Sequence, residues 1–260
     1  MLTRINGLVL RYLYLYRRSL ARAGEIFFWP IMDLLVWGFV STYINKENDV
    51  ALFLLGSVIF WDVLYRSQQA ITLSISEDIW VKNILNVFVS PVSIFELMVA
   101  TCIMGIIKAV ITAVVLGSLA FLLYTFNIVS IGILLLPFLI SLLLFGWALG
   151  MVTMALILRF GKSAEALVWG IPFLIQPFSA VFYPVEVLPD WLQVVAYAMP
   201  STYVFEGMRE VLSNGGWLDL KILMTAFSLN ILYLVIGAIF FGWMFSQVRE
   251  KGYLTRLGME

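Results

Sequence analysis

The chain has 260 residues, of which 62% are hydrophobic, 15% aromatic and only 12% charged, whereas about 25% is charged in an ordinary soluble domain. Mean hydropathy is +0.99, which excludes a soluble globular protein and predicts an all-α integral membrane protein built as one membrane domain. Sixteen basic residues balance sixteen acidic ones, His is absent and Cys102 is the single cysteine, so net charge singles out no partner, no nucleic acid is expected, and metal or Cys–His chemistry lacks ligands.

Residues 1–25 read as an amphipathic N-terminal helix. Arg4, Arg11, Arg18 and Arg22 share one helix face, and Ile5, Val9, Tyr12, Leu13, Tyr16 and Leu20 share the opposite one. Such a helix suits the surface of an anionic leaflet; the alternative is a seat on a partner subunit. The basic stretch runs to Arg22 before the first long apolar segment, so no cleavable signal peptide is expected.

A transmembrane domain follows over residues 26–246, with six spans at about 26–44, 50–74, 95–124, 131–158, 164–183 and 222–245, and a polar tail over 247–260. Polar turns at 45–49, 125–130 and 159–163 separate spans that a helix of about 20 residues suffices to complete. Span two contains Asp62 and Arg66, four apart and able to pair along the helix; such a pair is tolerated when it faces the bundle interior. Lys108, deep in span three, lines a substrate route, snorkels, or neutralises an acid on another span. Asp33 and Glu96 lie near span ends, where an interfacial position suits them. Cys102 reads as packing.

Between spans two and three, residues 77–89 predict a short amphipathic helix capped by Ser76, with Glu77 and Asp78 complementing its N-terminus. Val81, Ile84, Leu85 and Phe88 recur at helical spacing beside Trp80, with Lys82 opposite. An apolar face of this kind seats in a partner's groove, or on lipid or the neighbouring spans. One lysine gives little electrostatic hold on lipid, which favours a protein.

The apolar run 164–183 begins as a span and is stopped by Pro184. Pro189 and Asp190 then open a short helix bearing Trp191 and Leu192, Pro200 breaks it, and Ser201 or Thr202 can cap a third piece that carries Glu206 and Arg209 and ends at Ser213-Asn214-Gly215-Gly216. The expected layout is a re-entrant hairpin over 184–215, surrounded by protein because bent backbone cannot face lipid unpaired. Lys and Arg number eleven on the side of the termini, the 77–89 connector and the 159–163 turn, against three on the other side. This bias places both termini in the cytoplasm and the hairpin outside.

Gly161-Lys162-Ser163 matches only the tail of a phosphate-binding loop. The pattern requires Gly at position 156, which is Leu156. The chain is therefore expected to hydrolyse no ATP and to be no enzyme.

Phe178 to Glu210 resembles the C-terminal signature of ABC-2 type permeases: a span ending in Phe182-Tyr183-Pro184, then Leu188-Pro189, then Trp191-Leu192, followed by Pro200 and an Arg-ending helix. Ser90-Pro91-Val92-Ser93 after an acid-led connector resembles the same family, although Asp78-Ile79-Trp80-Val81-Lys82 departs from its usual connector. The resemblance implies an exporter subunit in a bacterial or archaeal plasma membrane, working with a second copy or a related permease. Two separate ATPase subunits would carry ATP and Mg, and 77–89 would be the helix that couples to them. Cargo in the family ranges over drugs, lipids and lipid-linked glycans. The competing readings are an ion-coupled carrier or channel acting alone, and a membrane enzyme. The last lacks a convergent catalytic group.

Overall fold

Within hydrocarbon every backbone polar group must be paired inside the protein, so long apolar runs fold as helices. The computed structural model describes residues 1–44, 48–125, 135–213 and 219–253. Among them lie ten α-helices: α1 (Leu2–Arg18), α2 (Leu20–Ile44), α3 (Asn48–Trp80), α4 (Ile84–Val89), α5 (Ile94–Tyr124), α6 (Leu136–Phe160), α7 (Leu167–Ile175), α8 (Asp190–Tyr197), α9 (Pro200–Ser213) and α10 (Leu220–Glu250). Four stretches are long and apolar enough to cross a membrane, Arg22–Tyr43, Ile94–Tyr124, Leu136–Ala164 and Leu220–Glu250. They carry the expected first, third, fourth and sixth spans. Residues 45–47 of the expected 45–49 turn, 126–130 of the expected 125–130 turn, the start of span four at 131–134, the Asn214-Gly215-Gly216 stop and the tail from residue 254 lie outside the described residues, while Asn48 and Asp49 already belong to α3.

The expected second span sits within α3, whose 33 residues make a rod of about 50 Å. Ser57, Asp62, Arg66, Ser67, Gln68, Gln69 and Thr72 are all buried along it. α3 packs against α2, α5, α6, α7 and α9. Enclosure explains the composition, since a helix walled by protein holds polar side chains that a lipid-facing helix cannot.

The tightest seam joins α3 to α6. A Cβ added at Gly146 would stand 2.6 Å from the Ser67 Cβ and 2.7 Å from the Leu64 carbonyl oxygen, and one at Gly150 would stand 2.9 Å from the Ile71 Cβ. Two glycines four apart let the backbones close where lipid removes the hydrophobic drive between helices. The Ser67 hydroxyl donates to the Leu143 carbonyl at 2.7 Å and the Gln68 amide to Thr153 at 3.3 Å across the same seam. Asn230 of α10 reaches Ser141 of α6 at 2.6 Å.

Three expectations need correction. The run 164–183 is no single span. A 3-10 turn over 161–164 leads into the nine-residue α7, a second 3-10 turn follows over 176–179, and Ala180 turns left-handed at φ 51°. Pro172 and Pro177 account for the break, because each removes a backbone donor and crowds the preceding turn. The continuous apolar stretch Leu167–Ser179 reaches only about 20 Å.

The N-terminal helix ends at Arg18 and not at residue 25. Ser19 is extended, and α2 begins at Leu20 and runs unbroken through Pro30. α1 does not divide into a basic and an apolar face as expected. It buries Ile5, Leu8 and Tyr12 while Leu13 stays exposed, as does Leu20 at the start of α2, so its inward face is turned toward the arginines. The reason is ionic: Arg4 reaches Glu96 at 3.6 Å, Arg11 pairs with Asp78, and Arg22 lies 3.7 Å from Glu77. α1 packs on its own chain's α5 and α2.

The connector is no single helix over 77–89. α3 runs on to Trp80, Lys82 is left-handed at φ 55°, and α4 covers only Ile84–Val89. Glu77 and Asp78 thus close a helix instead of opening one. That end of a helix disfavours carboxylates, and Arg11 of α1 and Arg22 of α2 offset the penalty. Ser76 caps nothing; its hydroxyl bonds back to Thr72 at 3.0 Å. The cap in this region belongs to Ser93, which forms a capping box with Glu96 at the start of α5.

Candidate functional site

Charged and aromatic residues recur on α2 every four residues, at Glu25, Trp29, Asp33 and Trp37, and so share one face. On α3, Val58, Trp61, Asp62, Tyr65, Arg66 and Gln69 fall at helical spacing on another. These two faces, with Trp169 and Phe173 of α7 and the following Gln176 and Phe182, enclose a cavity of about 470 Å³, the size of a small-molecule site. Its inner wall is ionic. Arg66 holds Asp62 at 3.2 Å and the Gln69 side chain at 3.1 Å, both from within a buried helix. The other Asp62 oxygen, Oδ2, is buried with no hydrogen-bond partner, as is Nη2 of Arg66. At one end Phe182 stacks on Trp37, with ring centroids 4.0 Å apart and planes 18° from parallel.

The hairpin residues surround the break that follows α7. Arg209 of α9 donates to the carbonyl of Ala180 and, at 2.5 Å, to that of Tyr183. It pairs with Glu206 at 2.6 Å, and Glu206 accepts the Val185 N–H at 3.0 Å. Tyr183 donates to the Pro177 carbonyl at 2.6 Å. Pro184 and Pro189 precede the next 3-10 turn and α8, and Leu188 packs on Ala180, Val185 and Ala196. Asp190 opens α8 as expected, Trp191 stands 70% exposed and Leu192 is half-buried. Pro200 is the first residue of α9. Ser201 and Thr202 are therefore inside it and cap nothing: Ser201 meets the Ser179 hydroxyl at 2.7 Å, and Thr202 donates to the Ala196 carbonyl at 2.6 Å.

At the other end of α3, Ile84 is fully buried and Phe88 packs on Phe245 of α10, 5.5 Å between centroids. Trp80, Val81, Leu85 and Val89 point outward, Val81 61% and Val89 85% exposed, and Lys82 is exposed beside them. The predicted apolar stripe is thereby divided, half anchoring the turn and half left on the surface. Lys108 is buried outside the cavity lining but within electrostatic reach of Glu25 and Arg66: it donates to the Tyr16 hydroxyl of α1 at 2.5 Å, in a pocket it shares with Glu77. Of its three expected roles, it lies nearest to neutralising an acid on another helix.

Sequence reasoning singled out Asp62 and Arg66 but passed over Glu25, Trp37, Tyr65, Gln69, Trp169 and Phe173. The four-residue recurrence on α2 was the signal that would have found the cavity. Among the described residues, no cluster of His, Cys, Asp and Glu suits a metal ion.

A bundle of apolar helices around a polar central helix, with a broken hairpin and a cavity open to small molecules, defines a multi-pass α-helical membrane protein of the transport class. The chain belongs to the ABC-2 family: the profile described as ABC-2 family transporter protein matches residues 40–246, from the end of α2 through the hairpin into α10. No curated protein matches the chain.

Proposed function

We propose that this chain is the membrane subunit of an ATP-driven exporter, crossing the membrane six times with both termini in the cytoplasm. The crossings are α2, α3, α5, α6, the broken α7 segment with its hairpin, and α10. A second copy or a related permease completes the path, and two separate ATPase subunits supply the work. The cargo is an amphiphile taken from the cytoplasm or the inner leaflet, and the cavity between α2, α3 and α7 is where it sits.

One observation carries the coupling. The turn between α3 and α5 presents Trp80, Val81, Leu85 and Val89 to the outside, yet it is braced from behind by Arg11, Arg22, Ile84 and Phe88. An apolar knob on a rigid mount suits the groove of a partner that pushes. Val81→Asp and Leu85→Asp place an unpaired charge in that contact. Each variant is expected to reach the membrane in normal amount, to lose co-purification with an ATPase encoded beside it, and to stop transport. Wild-type co-purification and transport in both would end this reading.

A further inference from the structure

We propose that the cavity selects cargo with a cationic head, so that its substrate class is the amphiphilic organic cation. The inference rests on reading the cavity as the cargo site and adds the sign of the charge.

Three carboxylates line the cavity, Glu25, Asp33 and Asp62, against the single guanidinium of Arg66. Arg66 is already committed to Asp62 and Gln69. Its charge therefore answers one of the three acids, so the lining itself carries two more acids than cations, with Lys108 of α5 outside the lining but within electrostatic reach of Glu25. No described residue bonds to or pairs with Glu25 or Asp33. Asp62 lines the same cavity with Arg66 drawn against it at 3.2 Å, so the two acids left to a ligand are Glu25 and Asp33.

The remaining wall is aromatic. Trp29, Trp37, Trp61, Tyr65, Trp169 and Phe173 present ring faces or edges to the same space. Ring faces attract cations and offer an anion nothing. They also shield the acids from water, which strengthens an ion pair formed inside. An anionic head would meet Glu25 and Asp33, while Arg66 has given Nε to Asp62 and Nη1 to Gln69 and keeps only the buried Nη2 unpartnered. A neutral amphiphile would fill the apolar walls but leave Glu25 and Asp33 unanswered.

Tetraphenylphosphonium and tetraphenylborate have nearly the same shape and opposite charge, so they isolate the sign. Binding to the full chain in the uncharged detergent dodecyl maltoside is measured by equilibrium dialysis against protein-free micelles. Tetraphenylphosphonium is expected to bind saturably, and tetraphenylborate at least about tenfold more weakly, as an uncompensated charge in a shielded site requires. Asp33→Asn removes one carboxylate without changing shape and is expected to weaken the phosphonium about tenfold while favouring the borate. Equal or tighter binding of the borate overturns the cation preference, as does an unchanged phosphonium affinity in Asp33→Asn, and either leaves the cargo-site reading intact. Absence of saturable binding by both ions overturns the cargo-site reading itself. The comparison of the two ions needs no variant and no ATPase, so it stands apart from the coupling test.

Discussion

Ala180, Tyr183 and Val185 lie where no helix supplies their backbones with partners, and two side chains of α9 stand in. Arg209 takes the Ala180 and Tyr183 carbonyls and Glu206 takes the Val185 N–H, so an ion pair substitutes for about a turn of missing ladder. The planar fork of Arg suits this, and Lys cannot reproduce it. Arg209→Met strands two carbonyls and a carboxylate together and is expected to lower stability by about 3 kcal/mol. Glu206→Gln keeps an acceptor for Val185 and is expected to cost about 1 kcal/mol. Thermal unfolding in detergent should rank the two in that order, and a wild-type midpoint for Arg209→Met would remove the supporting role assigned to it. The F-Y-P and L-P-x-W-L spacing announced a hairpin here. It did not announce what satisfies the broken backbone, because that depends on α9 folding back across 26 residues of chain.

Helix identity was easier to read than helix register. Long apolar runs gave α5, α6 and α10 nearly whole, because chain length against bilayer thickness leaves little choice. Errors fell where tertiary pairing overrode local pattern. Glu77 and Asp78 looked like the acidic start of a helix and instead terminate one, held by arginines some 55 to 67 residues away. The apolar stripe of α1 looked opposite to its arginines, and the ion pairs of Arg4 and Arg11 turn the buried face toward them. The run 164–183 counted as a span by hydropathy, and two prolines inside it decided otherwise. The α3–α6 seam offers a direct test of close packing. Gly146→Ala places a methyl against backbone and is expected to cost about 1–3 kcal/mol. Gly170→Ala in α7, where nothing lies within 4 Å of the added carbon, is expected to be neutral or stabilising by up to about 1 kcal/mol. Equal losses at both sites would show that helix propensity, and not the seam, governs stability.

At the scale of the whole molecule, the charge bias predicts which way the chain faces. With Cys102→Ala as background, Val81→Cys and Val187→Cys place thiols on two exposed positions, 61% and 67% accessible. A membrane-impermeant maleimide should label position 187 on intact cells and position 81 only after permeabilisation; the reverse would invert the molecule and remove the ATPase from reach of α4. Between those two sides runs α3, unbroken from Asn48 to Trp80. Arg66 at the cavity and Asp78 at the far turn are twelve residues apart on it, about 18 Å along one axis. A stiff rod has no slack and no preferred direction of signalling. A partner at the Trp80 end that changes affinity in the space beside Arg66 must have its own affinity changed by the occupant there, by the same factor.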